Sequence, residues 1–154
     1  MNKTILSEYA DMKEEIKDLR RRITEDQKKI NQLKQTVVSD SVSCGKKGKK
    51  PIRTVKIKGF PQMEINRRIS LLKRRQAKLQ MLETDLIEKQ LQVEGYIQTI
   101  QKSELRTMFR LYYIDSLTWY QVALRMNQIF PKRRIKYTED NCKQRHKRFL
   151  EKVA

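Results

Sequence analysis

The sequence contains few glycine, proline and aromatic residues, and this composition limits the folds that it can form. Only 4 glycines and 3 prolines occur among 154 residues, and 7% of the residues are aromatic. Sandwiches, barrels and α/β enzymes need many turns and a large apolar core, so the composition argues against them. It favours an all-α protein in which a small domain adjoins an elongated helical element.

Cysteine is also scarce, which bears on metal binding and catalysis. Cys44 and Cys142 are far apart, and no Cys-x-x-Cys or Cys/His cluster accompanies them. Neither a zinc site nor a disulfide framework is indicated. Because no paired carboxylates or nucleophile–base set is visible either, we expect no catalytic residue, no metal, no cofactor and no enzymatic activity.

Long apolar runs are missing as well. No stretch approaches the roughly 20 apolar residues of a membrane-spanning helix. The first acidic residue, Glu8, occurs early in the sequence, and residues 1–8 lack the apolar region of a signal peptide. We therefore expect a cytoplasmic protein without a membrane partner.

Positive charge is abundant and unevenly placed. The formal net charge is +18, which exceeds what solubility needs and implies an acidic partner, nucleic acid first and an anionic membrane second. Residues 41–61 contain seven Lys and Arg and no acidic residue, and residues 103–154 contain twelve basic and five acidic residues. Most of the excess charge therefore belongs to these two segments.

Two stretches show apolar residues at heptad spacing. The first seam contains Ile5, Tyr9, Met12, Ile16, Leu19, Ile23, Ile30, Leu33 and Val37, with Asp26 as an interruption. The second seam contains Ile65, Ile69, Leu72, Leu79, Leu86, Val93, Ile97 and Ile100. An isolated helix would leave its apolar stripe in water, so we predict a long antiparallel coiled-coil hairpin over residues 1–102. Dimerisation through either helix is the competing arrangement.

The connection between the seams, at about residues 38–64, has a different pattern. Residues 54–58 alternate with the period of a strand, and Val37, Val38 and Val42 could belong to its partner. We predict a small β-hairpin at the tip of the coiled coil. The Gly- and Lys-rich run at 45–51 lacks the spacing of a P-loop. Its functional interpretation is a basic finger that contacts phosphate, and the alternative is a solvated Lys-rich loop.

Three short helices are predicted in residues 103–154, each preceded by a capping residue. Ser103, Thr118 and Thr138 are the predicted N-caps, because a side-chain oxygen there can accept from the free N–H groups of the first turn. The apolar stripes of the first two helices are Leu105, Met108, Phe109 and Tyr112, then Trp119, Val122, Ala123 and Met126. Both stripes follow the i, i+3, i+4, i+7 spacing of an amphipathic helix.

The third helix combines an apolar stripe with many hydrogen-bond donors. The stripe consists of Cys142, His146, Phe149 and Val153. We interpret His146 and Cys142 as core residues, and Trp119 as a packing residue of the same core. The polar surface is typical of a DNA recognition helix, although a solvated basic face is the alternative.

Candidate DNA contacts follow from the donor types. Arg reads guanine and Asn or Gln reads adenine, so residues near bases are predicted to be Asn141, Gln144 and Arg145. Residues predicted to bind phosphates are Lys143, Lys147, Arg148 and Lys152. The connection over residues 127–137 contains Lys132, Arg133 and Arg134. It either adds a wing-like phosphate contact or reorients the third helix and changes its base contacts.

These segments resemble a known family. Region four of bacterial sigma factors is similar to four stretches of this sequence, at residues 103–106, 111–123, 138–141 and 143–150. The second stretch includes a Tyr-Ile-Asp-x-Leu-x-Trp block at 113–119. The likeness is greatest to the sigma-like transcriptional regulators of phages and prophages of Gram-positive bacteria. The resemblance implies a helix-turn-helix domain at 103–154 in which the final helix recognises promoter DNA in the host cytoplasm. One departure is the eleven-residue separation between Met126 and Thr138, since a tight connection takes about three or four residues.

The expected function is sequence-specific transcriptional regulation, with double-stranded DNA as the partner. RNA polymerase or another protein could bind the coiled coil, and the chain could also form a homo-oligomer. A phage small terminase subunit, or another DNA-packaging factor, is the alternative, because it also joins a helix-turn-helix to a coiled coil. A coiled-coil protein that only opposes another regulator is the third hypothesis.

Overall fold

The computed structural model describes residues 2–45 and 53–153. Within these ranges the chain forms five α-helices and one two-stranded antiparallel sheet. In chain order the elements are α1 (Asn2–Gln35), β1 (Val38–Cys44), β2 (Arg53–Gly59), α2 (Gln62–Thr99), α3 (Ser103–Phe109), α4 (Trp119–Ile129) and α5 (Glu139–Val153). The expectations of a mostly helical chain and of a small β-hairpin are confirmed. The basic run at 46–51 lies outside the described residues.

The chain divides into two compact units, and α1 and α2 each contribute to both. One unit comprises residues 1–16 and 82–154, and the other comprises residues 17–81. None of the helices in the described ranges is long and apolar enough to cross a membrane.

Residues 17–81 bury part of each predicted seam. Leu19 and Ile30 of α1 and Ile65 and Leu72 of α2 are buried. Asp26, which interrupts the first seam, is buried too, and its carboxylate accepts a hydrogen bond from the Arg75 guanidinium of α2. A buried charge needs such a partner, so the interruption is a paired site between the two helices. Val37 follows α1 and is exposed, so its assignment to the first seam was wrong.

The β-hairpin has the strand positions that the alternating pattern predicts. Val42 pairs with Val55, and Val38 pairs with Gly59. Val38 and Val42 are therefore confirmed as residues of the partner strand, whereas the prediction for Val37 was wrong because it lies before β1. Both strands are edge strands of a two-stranded sheet, so they contribute little stability by themselves.

Residues 1–16 and 82–154 contain two apolar clusters. The first cluster combines α1, α2, α3 and the turn after α3, and its buried residues are Leu6, Tyr9, Val93, Tyr96, Ile97, Ile100, Phe109 and Tyr113. Leu6 is 1% exposed, whereas the predicted seam residue Ile5 is only half-buried. Ile5 and Leu6 both lie about one helical turn before Tyr9, and packing against α2 determines which of the two side chains is buried. This cluster joins residues from both sides of position 102, where the coiled-coil hairpin was predicted to end.

The end of α3 differs from the regular helix that we expected. Residues Arg110–Ile114 form a π-helical turn, in which the Asp115 N–H donates to the Arg110 carbonyl. The wider turn rotates the following side chains, so Leu111 and Tyr113 become buried and the predicted stripe residue Tyr112 is half-buried. Ser103 was wrongly predicted as the cap, because the N-cap is Lys102 and no side chain caps this helix among the described residues.

Thr118 caps α4 as predicted. Its hydroxyl accepts from the Gln121 N–H, and the Gln121 side chain accepts from the Thr118 N–H, which completes a capping box. The predicted core residues Val122, Ala123 and Met126 are buried. The helix continues to Ile129, three residues beyond the predicted end at Met126, so the connection to α5 begins at 130. Pro131 then prevents further helical hydrogen bonding.

Candidate nucleic-acid interface

Helix α5 packs against both α3 and α4. Thr138 caps it as predicted, since its hydroxyl accepts from the Asn141 N–H at 3.3 Å. Glu139 and Asp140 lie in the first turn, where negative charge complements the helix dipole. Cys142 is completely buried, and burial raises the pKa of its thiol. The interpretation of Cys142 as a core residue is therefore confirmed.

His146 lies in an aromatic cluster on the same side of α5. Its ring centroid is 4.9 Å from that of Phe109 and 5.0 Å from that of Trp119, and its Nε2 is hydrogen-bonded to the Tyr113 hydroxyl at 2.9 Å. Burial lowers the pKa of His146 to about 4, so the imidazole is neutral at physiological pH. Trp119 stacks on Tyr112 with ring centroids 4.0 Å apart. Both residues are packed as the sequence predicted, whereas the Val153 side chain lies outside the described part.

One carboxylate contacts two of the residues that were predicted to bind DNA. Glu104 of α3 forms an ion pair with Arg133 of the connection, and its Oε2 lies 3.4 Å from Nη1 of Arg145 in α5. The Tyr137 hydroxyl donates to the same oxygen at 2.8 Å. The Arg145 guanidinium also lies over the Tyr137 ring, 5.2 Å from its centroid. Arg133 and Arg145 are thus brought together, although they are twelve residues apart.

The connection before α5 is attached to α4 by its last residues. Asn127 accepts from the Tyr137 N–H and donates to the Tyr137 carbonyl, both at 2.8 Å. Tyr137 is only 4% exposed and shares an apolar cluster with Cys142. Sequence reasoning missed Asn127, Tyr137 and Glu104. A signal for Tyr137 was present, because an apolar residue before an N-cap commonly packs against the fourth helical residue, here Cys142.

The remaining candidates lie on the outer side of the module. On the helix, Gln144, Lys147 and Arg148 fall opposite Cys142 and His146, and all three are exposed. Lys152, Lys132 and Arg134 are exposed too. These outward residues thus differ from Arg133 and Arg145, which both form ion pairs with Glu104.

Lys143 and Lys147 have intrahelical partners, and Asn141 is partly buried. Lys143 forms an ion pair with Glu139 at 2.6 Å, and this hydrogen bond raises the pKa of Lys143. Lys147 lies 4.0 Å from Glu151. Asn141 is half-buried, and its Oδ1 is buried with no hydrogen-bond partner among the described residues. An exposed surface pair is weak, so both lysines remain accessible to phosphate.

Comparison of the chain with protein-family models, with curated proteins and with solved structures finds no match.

Proposed function

We propose that this chain is a sequence-specific DNA-binding transcriptional regulator of the sigma region-four-like type, encoded by a phage or prophage. In this proposal α3, α4 and α5 form a helix-turn-helix module, and α5 is the recognition helix. The helices α1 and α2 form an antiparallel coiled-coil hairpin that supports a contact with another protein or with a second copy.

The observation that carries the proposal is the polarity of α5. One side packs through Cys142 and His146 into the apolar clusters, and the opposite side exposes Gln144, Lys147 and Arg148. A recognition helix needs this combination, since it must be fixed to its domain while its outer side donates hydrogen bonds to base edges and phosphates. The excess of seven basic over acidic residues in 103–154 adds the electrostatic attraction that nucleic acid binding requires.

The contacts of Glu104 divide the roles among the candidate residues. Glu104 holds Arg145 and Arg133 beside the recognition helix, so we assign both to phosphates, although the sequence pattern predicts Arg145 near a base. Gln144 and Arg148 extend outward from adjacent turns, so we assign base contacts to them, which replaces the phosphate contact predicted for Arg148. Lys143, Lys147 and Lys152 provide additional phosphate contacts, together with Lys132 and Arg134 of the connection.

The test is a selection of bound duplexes from a random pool with the full chain, followed by affinity measurements. A selected duplex should bind at least tenfold more tightly than random duplex at moderate salt. Gln144→Ala and Arg148→Ala should each reduce this preference, because a good base contact contributes about 1–3 kcal/mol of discrimination. Arg67→Ala, an exposed residue of α2, is the matched control and should leave the preference unchanged.

Equal affinity of the wild-type chain for selected and random duplexes would contradict sequence-specific regulation. The mass of the chain in solution should be measured in the same samples. A ring-sized oligomer that binds DNA without sequence preference would instead support the packaging alternative.

A further inference from the structure

The β-hairpin separates its side chains into two chemically different faces. Successive strand residues point to opposite sides of a sheet, and directly paired residues share a side. The first face contains Val38, Asp40, Val42, Val55 and Ile57. The second face contains Ser39, Ser41, Thr54, Lys56 and Lys58. We call the second set the Ser/Lys face and the first set the Val face.

The Ser/Lys face is exposed and carries only hydroxyl and ammonium groups. All five of its residues are exposed. The single acidic residue of segment 38–59 is Asp40, which belongs to the Val face. Hydroxyl and ammonium groups are typical donors to phosphate oxygens, so the Ser/Lys face is complementary to a polyanion.

Its dimensions suit one polyanion in particular. Lys56 and Lys58 are two strand residues apart, about 6.7 Å, which is close to twice the 3.4 Å axial spacing of phosphates along one DNA strand.

The Val face does not offer an equally good surface for a membrane or for a second copy. Asp40 lies within it, directly opposite Ile57, and its carboxylate accepts from the Ser41 N–H at 2.7 Å. Covering this face with lipid or protein would remove the carboxylate from water at a substantial free-energy cost. Nucleic acid on the Ser/Lys face leaves Asp40 solvated.

We propose that the Ser/Lys face of the hairpin binds the phosphate backbone of duplex DNA and forms a contact site separate from α5. It recognises no bases, so it adds affinity to every sequence equally. This site does not depend on the function proposed for α5.

The experiment measures the affinity of the full chain for a random-sequence duplex over a range of salt concentrations. Lys56→Gln combined with Lys58→Gln should reduce the slope of log affinity against log salt by about 2, because about 0.9 counterion is released per phosphate neutralised. The double variant should lose the same factor in affinity for random and for selected duplexes.

A second pair of variants adds charge instead of removing it. Thr54→Lys adds a cation to the Ser/Lys face and should increase the slope by about 1. Val42→Lys adds the same charge to the Val face and should not increase it. Because the expected changes have opposite signs in the two experiments, loss of folding cannot produce both.

The proposal is overturned if the double lysine variant keeps the wild-type slope, or if Thr54→Lys and Val42→Lys raise it equally. It is also overturned if the double variant loses binding to phosphatidylserine vesicles while its DNA binding is unchanged. Failure of the α5 proposal gives a different result, since Gln144→Ala and Arg148→Ala would then have no effect on sequence preference while the hairpin variants still change the slope.

Discussion

Glu104 and Arg145 are 41 residues apart in the chain, yet their Oε2 and Nη1 atoms lie 3.4 Å apart. The same carboxylate pairs with Arg133 and accepts from the Tyr137 hydroxyl. One acidic residue of α3 therefore neutralises and orients two of the cations that we assign to DNA binding. This arrangement lowers the free positive charge beside α5 and makes it dependent on a single side chain.

Glu104→Gln should release Arg133 and Arg145 from their ionic contacts. We expect higher affinity for random duplex and a salt slope that is steeper by about 1, because more cationic charge becomes available to phosphate. Sequence preference should fall, because a fixed phosphate contact by Arg145 sets the register in which Gln144 and Arg148 meet the bases. Glu151→Gln removes the same charge near Lys147 and should change neither the preference nor the slope as much. Lower affinity of Glu104→Gln for random duplex would contradict this role.

Asn127→Ala should destabilise the module by removing two hydrogen bonds to the backbone of the buried Tyr137. Each buried polar group left without a partner costs about 1–3 kcal/mol. The free energy of unfolding in urea is the measurement. Gln128→Ala changes the exposed neighbour and should have an effect below about 0.5 kcal/mol. Similar losses in both variants would show that the contact between Asn127 and Tyr137 is unimportant.

Thr118→Ala and Ser103→Ala should differ, although both residues were predicted as N-caps. Thr118 makes a capping box, so its replacement should cost about 1 kcal/mol of stability. Ser103 follows the N-cap Lys102 and provides no side-chain cap, so its replacement should be nearly neutral. Thermal unfolding of the two variants checks the difference. A larger loss for Ser103→Ala would mean that the start of α3 is assigned incorrectly.

Acidification should destabilise the chain through His146. The folded pKa is lowered to about 4 from 6.5, so the unfolded chain binds the proton more readily between these values. The stabilisation is complete above about pH 6.5 and is lost as the pH falls towards 4. His146→Phe retains a ring in the cluster but does not titrate. The difference in unfolding free energy between pH 7.5 and pH 5 should be smaller for this variant than for the wild-type chain, and an unchanged difference would exclude His146 as its source.

Local patterns predicted several elements because their causes are local. The caps at Thr118 and Thr138 depend on one hydroxyl and the next three residues, and the hairpin pairing of Val42 with Val55 follows from period-two alternation. The buried positions of α4 follow from helical spacing in the same way. The outward position of Gln144, Lys147 and Arg148 could also be predicted, because it needs only the position of the apolar stripe on α5.

Interactions between distant segments could not be predicted from these patterns. Lys13 of α1 donates to the Tyr113 carbonyl at 2.9 Å and contacts the Ser116 hydroxyl, about a hundred residues away. The π-helical turn at Arg110–Ile114, which contains Tyr113, also depends on packing, since it brings Leu111 and Tyr113 into the apolar clusters. Ser116 has a φ of 56°, a left-handed conformation that a serine seldom adopts without support from its surroundings.

The sequence by itself therefore determined a basic, mostly helical chain with a small hairpin and two capped helices, of which the second has one apolar and one cationic side. These properties arise from composition, periodicity and neighbouring residues. Only the tertiary structure decided that Leu6 is buried more completely than Ile5, that Asp26 pairs with Arg75, and that Arg133 and Arg145 share Glu104. Each of these outcomes is a choice among side chains of similar chemistry, and the choice depends on which groups the folded chain brings within contact distance.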